Sequence, residues 1–147
     1  MTPSEISADV PDGFLRHPHH SPLTEPWEPI YSKTTPDALI VGLRLAKPHT
    51  NSRGLAHGGL IATLADNTMG RNCRIHFPDG IEGVQRLVTV SLNVDYLGSA
   101  TIGQWLQVET GFVKVGGSIC FVQSFITADG EPCARANATF KIVRKKS

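Results

Sequence analysis

The stretch His57-Gly58-Gly59-Leu60-Ile61-Ala62-Thr63-Leu64-Ala65-Asp66-Asn67-Thr68-Met69-Gly70-Arg71-Asn72 decides how the chain is read. Leu60, Ile61, Leu64, Ala65, Thr68 and Met69 recur in it at spacings of three and four, the period of a helix with one buried face. No other segment keeps that period, so one long helix from His57 to about Asn72 is expected. Downstream the pattern changes. Between residues 87 and 96, Val88, Val90, Leu92, Val94 and Tyr96 alternate with Thr89, Ser91, Asn93 and Asp95, which predicts a strand with one apolar and one polar face. Three further strand-like runs follow, at about 105–115, 118–128 and 132–143. Gly116-Gly117 and Asp129-Gly130 join them, and both dipeptides tolerate the positive φ of tight hairpin turns.

On the N-terminal side of the helix, residues 38–46 (ALIVGLRLA) are apolar, partly β-branched and bounded by Pro36 and Pro48, which predicts another strand. In the last strand Ala134, Ala136 and Ala138 share one face, leaving a shallow groove that a helix can approach closely. The order strand, long helix, four antiparallel strands predicts an α+β fold in which one curved sheet wraps one central helix. Residues 1–36 hold most of the prolines and little periodicity. They read as an irregular arm with a short helix near Pro3 to Phe14, covering part of the core or a pocket, ahead of a folded domain at 37–147. In the arm, Pro18 separates His17 from His19 and His20, and no carboxylate or cysteine completes a ligand pattern. That favours a solvated loop over a metal site.

Composition narrows the class. A chain of 147 residues, 40% hydrophobic and 18% charged, can bury one core, and a net charge of +1 provides no broad field for nucleic acid. No run has the length and hydrophobicity of a secretory signal or membrane span. Cys73, Cys120 and Cys133 are odd in number, far apart and set in apolar segments. They read as reduced core residues of a cytoplasmic protein, not as nucleophiles.

Two features of the helix point to chemistry. Gly58 and Gly59 stand at its start, where glycine costs backbone entropy but leaves free N–H groups at the positive end of the helix dipole, suited to an anion or a developing oxyanion. Asp66 is the only acidic residue between Thr50 and Pro78, and it sits among small and polar neighbours as a candidate general base or nucleophile. Taken singly, tight packing would explain the glycines and solvation the aspartate. Together they set a geometric condition. Eight residues separate Gly58 from Asp66, about 12 Å along a helix, so one substrate carbon cannot touch both. If both serve one reaction, Asp66 must come from a second copy across a two-fold axis.

The pattern Asn51-x2-Gly54-x2-His57-Gly58-Gly59 with Asp66 at fixed spacing resembles hotdog-fold thioesterases of the phenylacetate-degradation type, within the 4-hydroxybenzoyl-CoA thioesterase superfamily. The likeness spans about residues 38–143 and includes Val88 to Tyr96 as a pairing strand and Ala134 to Phe140 near the end. It implies hydrolysis of an acyl- or aryl-CoA thioester by a homodimer that pairs into a tetramer, with no metal or redox cofactor, CoA being part of the substrate. It also implies roles: Asp66 activates water or attacks the thioester, the Gly58 amide polarises its carbonyl, Asn51 orients carbonyl or water, and Thr89 positions the water. By alternation, however, Thr89 falls on the polar face of its strand. Gly59 and Asn67 are expected beside the substrate, as is His57, whose commoner role in the family is to hold the helix start.

Dehydratases of the same fold use His-Phe-Pro before the helix, whereas His76-Phe77-Pro78 follows it here and reads as coincidence. Arg71, Arg74, Arg86 and the tail Arg144 to Lys146 are available to the CoA phosphates, with plain solvation as the simpler account of each. Trp27, Phe77 and Trp105 could line an acyl pocket or simply pack the core. The competing function is a module that holds acyl-CoA without cleaving it. Regulators of that kind carry a DNA-binding segment for which this chain has no room, and binding alone needs no carboxylate beside the thioester.

Overall fold

The computed structural model describes residues 10–78 and 80–146. Among the described residues the one α-helix, α1 (Gly58–Ile75), buries Leu60, Ile61, Leu64, Ala65, Thr68, Met69, Asn72 and Cys73, the stripe that the three-and-four spacing marks out. It runs three residues beyond the expected end. Asn72 is fully buried, and its carboxamide takes the place of a neighbouring strand: Oδ1 accepts the Leu39 N–H, while Nδ2 donates to the Leu39 carbonyl, each at 2.9 Å. A buried amide satisfied in this way rivets helix to sheet. Among the described residues, no helix is long and apolar enough to cross a membrane.

The sheet has seven strands: β1 (Leu15–Arg16), β2 (Tyr31–Thr34), β3 (Leu39–Arg44), β4 (Val84–Tyr96), β5 (Trp105–Val115), β6 (Ile119–Ala128) and β7 (Glu131–Arg144). All pairings are antiparallel, in the order β1-β2-β3-β5-β6-β7-β4, and α1 packs against β3 to β7 on one face. The five strands read from the sequence are present to within a few residues. The β6–β7 turn has Asp129 at φ 48° and Gly130 at φ 85°, as an Asp-Gly hairpin requires. Ala134, Ala136 and Ala138 are all buried on the side facing α1. Their missing bulk lets the helix sit low in the sheet.

Two expectations need correction. The arm is not wholly irregular, since β1 and β2 lie inside it and extend the sheet. Strands of two and four residues are too short to build up a visible alternation, and the prolines on either side hide them. The short helix expected near Pro3 to Phe14 lies mostly outside the described residues, and at Phe14 the chain instead makes a turn closed by the Pro11 carbonyl. The cysteines also differ from expectation: Cys73 on α1 is joined to Cys120 on β6 by a disulfide, and only Cys133 is free and buried. Forty-seven residues separate the bonded pair in sequence, so no local motif announces it.

The arm attaches through a second apolar cluster of Phe14, Tyr31 and Trp105, with the Phe14 and Trp105 rings edge-on at 5.2 Å. Gly42 makes room for this cluster, because a Cβ there would lie 2.5 Å from Trp105 Cζ2 and 3.0 Å from the Leu106 carbonyl oxygen. Gly42→Ala must therefore displace the indole or bend β3. Urea unfolding should show a loss of about 1–3 kcal/mol, as for other overpacked cores. An unchanged midpoint would mean that the arm is not seated on Trp105 as described.

Candidate active site

The site grows from the loop ahead of α1. Asn51 Oδ1 accepts the backbone N–H groups of Arg53 (2.9 Å) and Leu55 (3.2 Å), closing the loop on itself. Buried His49 braces the same loop, its Nδ1 accepting from the Ala46 N–H and its Nε2 bonded to the Trp27 carbonyl at 2.8 Å. His57 is the N-cap, and its Nδ1 accepts the Gly59 N–H at 2.8 Å. Nδ1 is therefore unprotonated and the ring is turned to the helix, a structural duty that leaves only Nε2 to face a ligand.

Both glycines sit close under their neighbours' side chains. A Cβ on Gly58 would come within 3.1 Å of the Tyr96 ring and hydroxyl, and one on Gly59 within 3.0 Å of His57 Nδ1. Tyr96 donates to the Gly58 carbonyl at 2.6 Å. Its hydroxyl thus anchors the helix start from β4, a contact that alternation alone does not reveal. With the Gly59 N–H taken by His57, no hydrogen bond among the described residues uses the Gly58 N–H. This donor is left at the positive end of an 18-residue helix.

Asp66 lies two turns further along, half-buried, and Thr89 Oγ1 donates to its Oδ1 at 2.8 Å. Among the described residues nothing bonds Oδ2. The Thr89 contact contradicts the face assigned by alternation, and the cause is local. Between Thr89 and Ser91 the β4–β7 register shifts: Thr89 stands opposite Phe140 and Ser91 opposite Thr139, so Val90 is an extra residue. Residues directly opposite share a face, and Phe140 is buried against α1 beside Gly70. The bulge thus turns Thr89 toward the helix while Ser91, Asn93 and Asp95 point away. Such bulges often re-aim a side chain in this way.

The other expected residues fall into place less directly. Asn67 borders a cleft of about 180 Å³ between α1 and the arm, lined also by His17, His19, His20 and Arg71. The arm histidines are therefore not simply solvated. His17 shares a 3.0 Å hydrogen bond with Ser32, and His20 pairs with Glu28. Burial, with His19 and Arg71 alongside, pushes the His17 imidazole down to about 4. Trp105 belongs to the arm cluster and Phe77 to the main core, with Trp27 packed at its edge, so core packing accounts for all three aromatics. Burial raises the Cys133 thiol, which disqualifies it as a nucleophile at neutral pH.

One long helix held in an antiparallel sheet, with glycines at its start and a carboxylate two turns on, defines an α+β protein with a candidate site along its central helix. Superposition on the phenylacetic acid degradation protein of Thermus thermophilus gives a TM-score of 0.70 over 84% of this chain and 100% of that one, at 18% identity, and makes the fold a hotdog. A Bacillus halodurans protein solved with CoA matches at 28% identity and a TM-score of 0.66, over 78% of this chain and 74% of that one. In sequence, residues 53–134 match the thioesterase superfamily. The chain is 31% identical to human acyl-coenzyme A thioesterase 13 over 108 residues, 71% of this chain and 72% of that one. It is 33% identical over 135 residues, 91% of this chain and 98% of the other, to a Pseudomonas aeruginosa protein whose own designation as an esterase is provisional. The chain therefore belongs to the thioesterase superfamily.

The depressed His17 pKa has a measurable consequence. The unfolded chain binds this proton near the ordinary value of 6.5 and the folded chain only near 4, so the contribution of neutral His17 is complete above 6.5 and is lost as pH falls through that window. His17→Gln, which can keep the bond to Ser32, should flatten the fall of the thermal midpoint between pH 6.5 and 4 relative to wild type. Parallel curves would refute the buried neutral imidazole.

Proposed function

We propose that the protein hydrolyses an acyl- or aryl-CoA thioester to the free acid and CoA, as a homodimer with two composite sites. The observation that carries this reading is Asp66: Thr89 fixes one carboxylate oxygen and leaves the other unengaged, on a helix whose first amide is also unengaged. In the reaction Asp66 takes a proton from water, and the resulting hydroxide adds to the thioester carbon. The Gly58 N–H, helped by the helix dipole, stabilises the oxyanion. Collapse expels CoA thiolate, and the proton held by Asp66 balances it. Direct attack by the carboxylate, followed by hydrolysis of the anhydride, uses the same groups. In either route Thr89 holds the carboxylate and Asn51, whose Oδ1 is committed to its own loop, offers only its NH₂ to substrate or water.

The spacing of Gly58 and Asp66 asks for a second copy, and the surface of the chain supplies reasons for one. β4 is a 13-residue edge strand with Val88, Val90 and Leu92 exposed, and a long apolar edge is a template for pairing. Two β4 strands joined antiparallel would continue the sheet across the dimer and lay the two helices side by side. On the convex face of the sheet Phe112, Phe121 and Phe125 are exposed together, an apolar patch of the kind that marks an interface and that suits pairing of dimers.

Thiol release from a panel of short, medium, long-chain and aromatic acyl-CoAs tests the activity. Asp66→Ala should lower turnover at least about a hundredfold while elution volume and circular dichroism stay the same. Because Gly58→Ala meets Tyr96 as any Cβ would but keeps the amide, it is the control for Gly58→Pro, which removes the amide at a position where helices accept proline. Mixed with Asp66→Ala, Gly58→Pro should recover about a quarter of wild-type rate, because random pairing gives half hybrids, each with one intact site. Activity that fails to return on mixing would end the composite site. CoA-ester binding with no turnover dependent on Asp66 would make the protein a binding module instead.

A further inference from the structure

Five residues carry an α-helix about 140° past one full turn, so Arg71 lies on the flank of α1 opposite Asp66, where the arm roofs the cleft of about 180 Å³. The chemistry at Gly58 and Asp66 makes no use of this cleft, yet its polar groups lack counterparts. Thr68 lines it, is 1% exposed, and its Oγ1 has no hydrogen-bond partner. A buried hydroxyl normally finds one, and an orphan weakens the fold. Arg71 is half-buried, and among the described residues no hydrogen bond or ion pair engages its guanidinium. His17, His19 and His20 gather on the same cleft. Glu28, the one acidic group that acts on His17 among the described residues, is paired with His20. Burial lowers the His17 and His19 imidazoles, and Arg71 and the neighbouring histidines push them further the same way. The cleft thus collects cationic and donor groups without a matching anion.

We propose that this cleft is a second ligand site, separate from Gly58 and Asp66, for a small organic acid whose carboxylate binds Arg71 and Thr68. The polar groups set the charge of the ligand. At neutral pH His17 is uncharged, so the Arg71 guanidinium matches a single negative charge better than a phosphate dianion. A guanidinium with a free edge donates two parallel N–H bonds to a carboxylate. Thr68 and Arg71 stand three residues apart on one face of the helix, so the Thr68 hydroxyl can donate to the same group. The apolar walls set the body of the ligand. Ile30, Val41 and Leu64 are buried there, and about 180 Å³ is slightly more than the roughly 150 Å³ that accommodates a benzene ring. An acid the size of benzoate, or one with a short methylene chain, fits that space. The arm supplies His17 and α1 supplies Arg71, so a bound acid clasps the arm to the helix and stabilises the folded chain. No bond is made or broken, and the site stands independently of the thioesterase reading.

Titration calorimetry on the full chain tests this with two matched pairs, benzoate against benzamide and pentanoate against pentanamide, and with inorganic phosphate alone. At least one acid should bind saturably with Kd below about 1 mM, and its amide about tenfold more weakly, as loss of a hydrogen bond to a charged group implies. Arg71→Met should weaken the acid about tenfold. Thr68→Val should weaken it several-fold while raising the thermal midpoint of the free protein, since it removes an orphan hydroxyl. Asp66→Ala should leave binding unchanged. In proton NMR the acid should shift the ring resonances of His17 and His19, a readout that needs no variant and decides the matter if Arg71→Met does not fold. Failure of both acids to bind overturns the proposal, as does equal binding of acid and amide. Phosphate binding as tightly as the acids removes the role of the apolar walls and overturns the organic-acid assignment. Binding that Asp66→Ala abolishes, or that leaves His17 and His19 unmoved, places the acid elsewhere and also overturns it. Every readout is of binding, so none depends on whether a thioester is cleaved.

Discussion

The seating of one helix in one sheet governs the arrangement of this protein. Leu60, Ile61, Leu64, Ala65 and Met69 bury one side of α1, and each large side chain among them contributes on the order of 1.5–3 kcal/mol by leaving water. The alanines of β7 let the helix lie low, and the Asn72 carboxamide fixes its height and rotation against β3. With rotation fixed, the remaining faces of the helix are assigned as well. Asp66 comes round to the β4 side, while Leu64, Thr68 and Arg71 come round to the arm side. The two chemical faces of α1 are thus by-products of how its apolar stripe is buried.

What happens at each face depends on a small departure from regularity. On the β4 side it is the extra residue Val90. Without that bulge Thr89 would point away from the helix with Ser91, and the carboxylate of Asp66 would lose the donor that orients it. At the helix start it is the close approach of Tyr96 to Gly58 and of His57 to Gly59, with the Gly59 N–H taken by His57 and the Gly58 N–H left unengaged. On the arm side it is the fold-back of the segment before β2, which roofs a cleft whose polar groups are not all satisfied from within the chain. Stability is given up at Thr68 and Arg71, and unsatisfied polarity of this kind is characteristic of binding sites rather than cores.

The family resemblance and the geometry bear on different questions. Membership of the thioesterase superfamily follows from residues 53–134 and from relatives that match along most of their length. The particular substrate does not follow from it.

The sequence by itself determined the class of fold and the candidate site segment. A sixteen-residue period of three and four, an alternating strand and two hairpin dipeptides are local signals, each set by how side chains project from a helix or strand. The conspicuous glycine pair and the isolated acid at Asp66 are equally local. Only the tertiary structure decided the face of Thr89, because a bulge depends on the register of two strands some fifty residues apart and leaves alternation in the sequence intact. It alone revealed β1 and β2, which are too short to show a period, and the Cys73–Cys120 bond, which joins distant segments. It also decided that His57 caps the helix through Nδ1, and that Thr68, an ordinary member of the buried stripe in sequence, carries a hydroxyl with no partner. Periodicity tells which side of an element is buried, but whether a polar atom there is satisfied depends on neighbours that only the packed chain brings within reach.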